Sequence, residues 1–234
     1  MSSTPRYVIL TGAGVSAESG LQTFRSPDEN GRSLWADHDV DDVATPRGYF
    51  RNRALVHDFY RARRADVAAA EPNAAHTALG ELSDALGSAL LIVTQNVDDL
   101  HERGGVDPSR LIHMHGQLAT ALCIECDERV LGGEYGQPCP VCDIGDLRPD
   151  IVFFGERPHQ TGRIERAIQE ADAFVAIGTS GNVYPAAGYV DMACLYGVDT
   201  IEVNIDPSGK FDHHVIGPAT ETVPMLVRTI MANL

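Results

Sequence analysis

The stretch ALLIVTQNVDDLHERGG, residues 89–105, sets a run of apolar side chains against an amide pair and a carboxylate. The continuous apolar run at 89–93 fits a strand buried on both faces, as in a parallel sheet. The polar residues after it then fall at the strand's carboxyl end, where open α/β sheets keep their ligand chemistry. Gln95, Asn96 and Asp98 are therefore candidate site residues.

Three other runs repeat the arrangement: YVIL (7–10) before TGAG, AFVAI (173–177) before GTSG, and TIEVNI (200–205) before DPSG. Helical patterns fall at 54–70, 76–86, 163–171 and 224–234. Strands alternating with helices predict an α/β fold built on a doubly wound parallel sheet. Two segments break the alternation. Residues from about 36 to 75 carry helices and turns but no convincing strand, and 118–148 are rich in Cys, Gly and Pro. Both read as insertions that build a second, smaller lobe.

At 234 residues the chain is long enough for one sizeable core with an appended lobe. Its 44% hydrophobic and 22% charged residues are ordinary for a soluble globular protein. The formal net charge of −15 disfavours duplex DNA or an anionic membrane as partner and suits a basic one, such as a Lys-rich peptide. No signal-peptide pattern opens the sequence, and no run of about eighteen apolar residues exists to span a bilayer. A cytoplasmic protein is the expectation, and its five cysteines are then reduced thiols or metal ligands.

Gly12, Ala13, Gly14 and Ala17 satisfy the pattern G-x-G-x-x-A after the first strand. Glycines let the backbone approach a pyrophosphate closely, and a helix beginning there would offer its N–H groups to the anion. No second strand with a ribose-binding acid stands about twenty residues on, which disfavours an ordinary dehydrogenase. Cys123-x-x-Cys126, a spacer of twelve, and Cys139-x-x-Cys142 predict a four-cysteine zinc site. With all four positions filled by thiolate, the ion is structural; a redox role for these thiols is the weaker reading. Cys194, in an apolar helical stretch, reads as a small buried core residue.

His113 and His115 alternate in LIHMHGQL (111–118), and on an extended segment they point the same way. A histidine before glycine at a strand end is a candidate general base, although on this segment alone a structural histidine is the plainer reading. GTSGNVYP (178–185) offers small hydroxyl residues and glycine that can approach a phosphate or ribose.

Together GAGVSAESGLQTFR, TQNVDDLH, HMHGQL, the paired CxxC knuckles, GTSGNVYPAAG and VNID stand in the order seen in sirtuins, the NAD-dependent protein-lysine deacylases. The chain resembles that family from Tyr7 to about Pro224, and within it the bacterial CobB-type, class III branch. The resemblance implies a Rossmann-like large lobe, a smaller lobe of a helical insertion and a four-cysteine zinc ribbon, and NAD in the cleft between them. On that footing the large lobe takes 1–40, 88–117 and 149–234, the helical insertion 41–87, and the zinc-binding ribbon 118–148.

The same resemblance implies residue roles. Gly12, Ala13 and Gly14 face the phosphates, and Phe24 and Arg25 lie in the loop covering the nicotinamide side. Gln95, Asn96 and Asp98 line the pocket for nicotinamide and its ribose; Asp98 can accept from the carboxamide and Asn96 can bond a ribose hydroxyl or an ordered water. Gly178, Thr179 and Ser180 contact phosphate and ribose, Asn204 and Asp206 approach the adenosine, and Ala219 backs the adenine. In sirtuins the acyl-lysine carbonyl oxygen displaces nicotinamide, and a histidine helps deprotonate the ribose hydroxyl that takes up the acyl group. The products are nicotinamide, free lysine and O-acyl-ADP-ribose, so NAD is consumed. His115 matches that histidine and His113 does not; Asn96 is its catalytic companion. The backbone of Val152, Phe153, Phe154 and Gly155 pairs with the extended substrate by strand addition.

Tyr60 and Arg63, three apart in HDFYRARR, share one helix face. In the resembling branch such a pair lies at the floor of the acyl pocket, where an arginine can bind a carboxylate bidentately. That implies removal of succinyl or malonyl groups, with deacetylation retained. Without the resemblance, Arg61, Arg63 and Arg64 read as solvated helix charges. The family's usual Gly-Ile-Pro-Asp-Phe-Arg stands here as Gly20-Leu21-Gln22-Thr23-Phe24-Arg25, which removes the Pro-Asp pair and its contribution to loop rigidity. Partners are acylated-lysine proteins and NAD, with no membrane or nucleic acid, acting on a monomer. Two rival readings are an NAD-dependent mono-ADP-ribosyltransferase and, in a different class, a zinc-ribbon nucleic-acid-binding module.

Overall fold

A computed structural model describes residues 4–22 and 38–234. Phe24 and Arg25, assigned by resemblance to the nicotinamide loop, lie outside the described residues. β1 (Tyr7–Thr11) leads into two short 3-10 turns, Ala13–Val15 and Ala17–Ser19. The helices α1 (Val40–Val43), α2 (Pro46–Arg51), α3 (Arg53–Ala69) and α4 (Ala74–Leu86) come next. After them run β2 (Leu90–Thr94), α5 (Leu100–Arg103), β3 (Leu111–His113), β4 (Gly116–Cys123), β5 (Arg129–Leu131) and β6 (Leu147–Ile151). The chain closes with α6 (Thr161–Gln169), β7 (Ala173–Ile177), α7 (Tyr189–Leu195), β8 (Asp199–Asn204), β9 (His213–Ile216) and α8 (Ala219–Ala232).

The main sheet has the order β3-β2-β1-β7-β8-β9, and every neighbouring pair in it is parallel. The chain winds from β1 toward β2 and β3, then returns to the other side of β1 for β7, β8 and β9. β1 and β7 thus flank the topological switch point. Successive strand side chains point to opposite faces. Ile9, Ile92, Val175 and Val203 pack with α4 and α8 on one face, while Leu10, Val93, Phe174 and Ala176 pack with α6 and α7 on the other. That double burial is why these strands read as unbroken apolar runs.

A second, antiparallel sheet, β5-β4-β6, carries the cysteine ribbon. Its inner side chains Leu118, Ala121 and Leu147 share a third core with Tyr49, Val56, Phe59 and Tyr60 of α2 and α3. Arg64 of α3 fixes the join. Its Nε donates to Leu118 O at 2.8 Å, Nη1 to Gly133 O at 3.1 Å and Nη2 to Thr120 O at 3.4 Å. The guanidinium also lies 4.2 Å from the Tyr135 ring centroid. It is a structural cross-link and not a solvated charge.

Three readings of the sequence are corrected. The helix at 74–86 belongs with the sheet and not with the small lobe, because Ala75, Leu79, Leu82 and Leu86 fill the core shared with Ile9 and Val223. The final helix begins at Ala219 and not at Pro224, because Glu18 caps it from a distant segment, its carboxylate accepting Thr220 N at 3.0 Å and Thr220 Oγ1 at 2.7 Å. Cys194 lies in α7 as expected of a helical residue but is exposed, on the side of the helix away from the sheet. Among the described residues no helix is long and apolar enough to cross a membrane.

Arg64→Met keeps the aliphatic packing but removes the guanidinium donors from the carbonyls of Leu118, Thr120 and Gly133, leaving Leu118 O only the Tyr135 hydroxyl at 3.5 Å. The expected cost is about 2–3 kcal/mol of unfolding free energy. Chemical denaturation of the two proteins measures it, and an unchanged midpoint would show that Arg64 is not the tie between α3 and the ribbon.

Candidate active site

The first turn is defined by what it has no room for. Gly12 N donates to Ile177 O at 3.0 Å and Gly14 N to Gly178 O at 2.9 Å, so the carboxyl ends of β1 and β7 are laced together. A Cβ on Gly14 would sit 2.7 Å from Gly178 Cα, and one on Gly178 would sit 2.6 Å from Val15 N. Gly178 also has φ of +58°, a left-handed conformation that disfavours any side chain. After Gly12 the chain forms a pair of 3-10 turns and not the helix expected from the fingerprint. The glycine N–H groups are spent on the opposing strand, whereas Ala13 N has no acceptor among the described residues. The turn therefore offers an anion close approach and the Ala13 N–H, but no helix N-terminus.

The polar residues after β2 meet at Ser16. The backbone N–H of Asn73 donates to His76 Nδ1 at 3.2 Å, as part of the cap that opens α4. That leaves the proton of neutral His76 on Nε2, which faces Ser16 Oγ at 3.4 Å. Asn96 Nδ2 also donates to Ser16 Oγ, at 3.1 Å, and the hydroxyl donates onward to Asp98 Oδ2 at 3.0 Å. Asp98 Oδ1 accepts Leu100 N at 3.2 Å. Asp98 is only 6% exposed, and burial raises its carboxyl above the usual range against the pull of Leu100 N and Ser16. Asn96 keeps its Oδ1 as an acceptor, since its amide nitrogen is committed.

Behind this network lie His76 and His101, both fully buried, with ring centroids 5.1 Å apart. Burial holds His76 down to about 4 and His101 well below the ordinary histidine value. His101 Nε2 sits 2.9 Å from Thr11 Oγ1, at the end of β1. Both rings are neutral at pH 7.

His113 and His115 have opposite electrostatic fates although two residues apart. His113 Nδ1 faces Asn96 O at 3.2 Å and Nε2 faces a Glu102 carboxylate oxygen at 2.8 Å. Both partners are acceptors, so the surroundings favour a ring that donates from both nitrogens, the imidazolium. Burial pushes its pKa down, but the Glu102 carboxylate and Asn96 carbonyl together leave it raised. His115 Nδ1 faces Gln95 O at 3.2 Å, another pure acceptor. That fixes its proton on Nδ1 and presents Nε2 as a base. Burial lowers its pKa, helped by nearby His159, so the ring is neutral near pH 7. Of the two, only His115 has the protonation state of a proton acceptor.

The segment carrying Val152, Phe153, Phe154 and Gly155 comes after β6 and is not itself a strand. Val152 N donates to His115 O at 2.9 Å, Phe153 N to a Glu156 carboxylate oxygen at 2.9 Å and Phe154 N to Ala44 O at 2.8 Å. Among the described residues this leaves Gly155 N and the carbonyls of Val152, Phe154 and Gly155 for an added strand. Phe153 is buried against Tyr60, ring centroids 6.2 Å apart, whereas Phe154 is exposed. Tyr60 itself is buried in α3, which pushes its phenol up. Arg63, one turn on, donates Nε to Asp66 Oδ2 at 2.9 Å and lies over the Phe59 ring.

Thr179, Ser180, Asn204 and Asp206 line one cavity of about 220 Å³, with Asn204 Nδ2 donating to Thr179 O at 2.9 Å. Ala219 is not in its lining; it packs beside Val15 in the core on the α8 face. In the ribbon, Cys123, Cys126, Cys139 and Cys142 place their sulfurs within 4.8 Å of one another. Cys123 and Cys142 sulfurs are 3.6 Å apart and those of Cys126 and Cys139 3.8 Å, too far for disulfides and close to the separation of about 3.8 Å in a tetrahedral Zn–thiolate site. Glu125 N and Val141 N each point at a cysteine sulfur at 3.4 Å, stabilising thiolate. The cluster is compatible with a structural zinc.

The sequence reading missed Ser16, His76, His101 and Glu102. Ser16 stood inside the quoted glycine motif, and a hydroxyl within a phosphate-binding turn was a usable signal. The others carried no local signal, since their role depends on packing across the sheet end.

His76 yields a pH prediction. Its unfolded value is near 6.5 and its folded value about 4, so the unfolded state binds the extra proton between these limits. Stability present above pH 6.5 should fall as pH drops toward 4, by about 3 kcal/mol from this residue. Urea titrations at pH 7 and pH 4.5 measure the slope, and His76→Asn should flatten it; an equal slope in both proteins would contradict the neutral buried ring.

Comparison with known proteins bears on this site. The Sir2 family model matches residues 12–185. The "NAD-dependent protein deacylase" of Caulobacter vibrioides is 49% identical over 239 residues, covering 98% of both chains. That of Pasteurella multocida is 49% identical over 233 residues, covering 96% of this chain and 97% of the relative. Among solved structures, a mutant Sir2 homologue in complex with ADP ribose superimposes with TM-score 0.87 at 35% identity, covering 98% of this chain and 93% of the other. A Sir2 homologue–NAD complex does so with TM-score 0.85 at 34% identity, covering 98% and 91%. With the glycine interlock, the two histidines and the four-thiol ribbon all in place along a matching chain, this protein belongs to the Sir2 family.

Proposed function

We propose that this protein is an NAD-dependent protein-lysine deacylase, releasing nicotinamide, free lysine and O-acyl-ADP-ribose, and that it acts as a cytoplasmic monomer. One observation carries the reading. A neutral His115, its Nδ1–H tied to Gln95 O and its Nε2 left basic, stands at the carboxyl ends of β2 and β3 in a parallel sheet, where the buried amide of Asn96 and carboxylate of Asp98 follow β2. The relatives' names and the NAD and ADP-ribose complexes of similar folds support it.

Gly12, Ala13 and Gly14 would hold the pyrophosphate, with Gly178, Thr179 and Ser180 on its other side. Asn204, Asp206 and Ala219 would hold the adenosine, and Gln95, Asn96 and Asp98 the nicotinamide ribose. When bound, NAD supplies an activated glycosidic carbon and the hydroxyls that receive the acyl group. Ser16 orients Asn96 and Asp98 toward that end, His115 Nε2 takes one proton there, and the buried surround limits water. Phe24 and Arg25 would cover the nicotinamide side. A zinc ion on Cys123, Cys126, Cys139 and Cys142 would hold the ribbon, on which β6 and the peptide-binding residues 152–155 depend. The division into lobes is proposed with the helical insertion ending before Ala74.

Tyr60 and Arg63 at the acyl pocket favour succinyl and malonyl groups. The acyl carboxylate then competes with Asp66 for the Arg63 guanidinium, which sets the strength of that preference.

His115→Ala should lower kcat/KM by at least about 100-fold while zinc content and thermal midpoint stay unchanged. Because burial lowers the His115 pKa, the acid limb of the wild-type pH–rate profile should lie below pH 6.5, falling as the base is protonated. Turnover that survives the substitution would remove the assignment. Arg63→Met should reduce desuccinylation about tenfold more than deacetylation. Mass spectrometry of succinyl- and acetyl-lysine peptides incubated with NAD decides it, equal losses counting against the carboxylate contact.

A further inference from the structure

Of the 18 basic residues in this chain one alone is lysine, Lys210. It stands in the connection 205–212 between β8 and β9, which are parallel neighbours. Such strands ordinarily need a crossover of a dozen or more residues. This shorter one is held by side-chain bonds instead. Glu202, nearly fully buried on β8, accepts Ser208 N at 2.8 Å and Ser208 Oγ at 3.0 Å through one carboxylate oxygen. Asp212 and Thr200 bond each other reciprocally at the base, Thr200 Oγ1 to Asp212 Oδ2 at 2.7 Å and Asp212 N to Thr200 Oγ1 at 2.9 Å. Lys210 N points at Ser208 Oγ at 3.4 Å. The backbone of Lys210 is therefore anchored while its side chain is exposed.

Lys210 borders the same 220 Å³ cavity as Thr179, Ser180, Asn204 and Asp206. Among the described residues lining that cavity it is the only base, set beside the carboxylates of Glu202 and Asp206. In a chain of net charge −15, a dinucleotide with a dianionic pyrophosphate approaches an unfavourable field. One cation at the adenosine rim offsets part of it locally, and losing that cation would leave the ligand beside the exposed Asp206 carboxylate, whereas Glu202 is buried and held by Ser208 and His214.

We propose that Lys210 is an acylation site through which acyl thioesters weaken the protein's hold on NAD; the proposal rests on the NAD-dependent reading above. In the modifying step the neutral Nζ attacks the thioester carbonyl and forms an amide. The carbon–sulfur bond breaks, the thiol leaves, and the amine gives up one proton to solvent, with no change of oxidation state. The product replaces an ammonium by a neutral amide at the rim. Because no second lysine exists, every lysine adduct on the chain is an adduct at this position.

The test treats the whole protein with acetyl-coenzyme A, locates adducts by peptide mass spectrometry, and measures KM for NAD at saturating acyl-lysine peptide. Acetylation at Lys210 should raise KM for NAD about threefold at ~0.05 M salt with kcat unchanged, and the difference should close near ~1 M salt, where the Debye length is about 3 Å. Lys210→Gln should reproduce the rise, whereas Lys210→Arg should show the same KM before and after treatment. No adduct at Lys210, an unchanged KM, a rise indifferent to salt, or an equal rise in treated Lys210→Arg would each overturn the proposal. Unmodified protein lacking any NAD-dependent turnover would instead bring down the proposed function, and this inference with it.

Discussion

The close contact between Gly14 and Gly178 is the constraint on which the site depends. It brings the carboxyl ends of β1 and β7 together at the point where the winding of the sheet reverses. Any side chain at either position would push the strands apart by roughly an ångström, because the space between the backbones holds no extra atom. Through Gly12 N, Gly14 N and Gly178 N the interlock also uses the last backbone bonds of β1, β7 and β8. The loops that leave these strands therefore start from one rigid knot. Residues as far apart in sequence as Ser16, Asn96 and Thr179 inherit their positions from it.

On the β2 side of that knot, charge is managed by burial. Asp98 is a carboxylate with two protein donors and almost no solvent, so a ligand donor reaching it would replace hydration it lacks. His76 and His101 could each have been cations and would then have supported Asp98 electrostatically. They are instead held neutral, and it is His113, paired with Glu102, whose surroundings favour the positive charge.

Much of this was legible in sequence where the physics is local. Apolar runs 7–10, 89–93, 173–177 and 200–205 marked four strands, since a strand covered on both faces must be apolar throughout. Two CxxC pairs marked a metal cluster, since four thiols can converge only on an ion or oxidise. The features that escaped the sequence depend on distant partners. The start of α8 was set by Glu18, some two hundred residues earlier in the chain. Arg64 looked like its neighbours Arg61 and Arg63 until three carbonyls of the ribbon surrounded it. β3 and β9 are short edge strands whose few residues give periodicity nothing to work on.

The small lobe is more than an attachment. Phe153 lies just beyond β6, a strand of the ribbon sheet, yet packs against Tyr49 and Tyr60 of the helical insertion and under the Arg148 guanidinium. Val152 N, one residue earlier, bonds the carbonyl of His115. A single step along the backbone thus links the ribbon, helix α3 and the turn that carries His115. Loosening the cysteine cluster would shift β6, and a shift in β6 would move both the backbone beside His115 and the aromatic wall beside Tyr60. The four thiols lie outside the reacting centre, but their geometry reaches it through one strand.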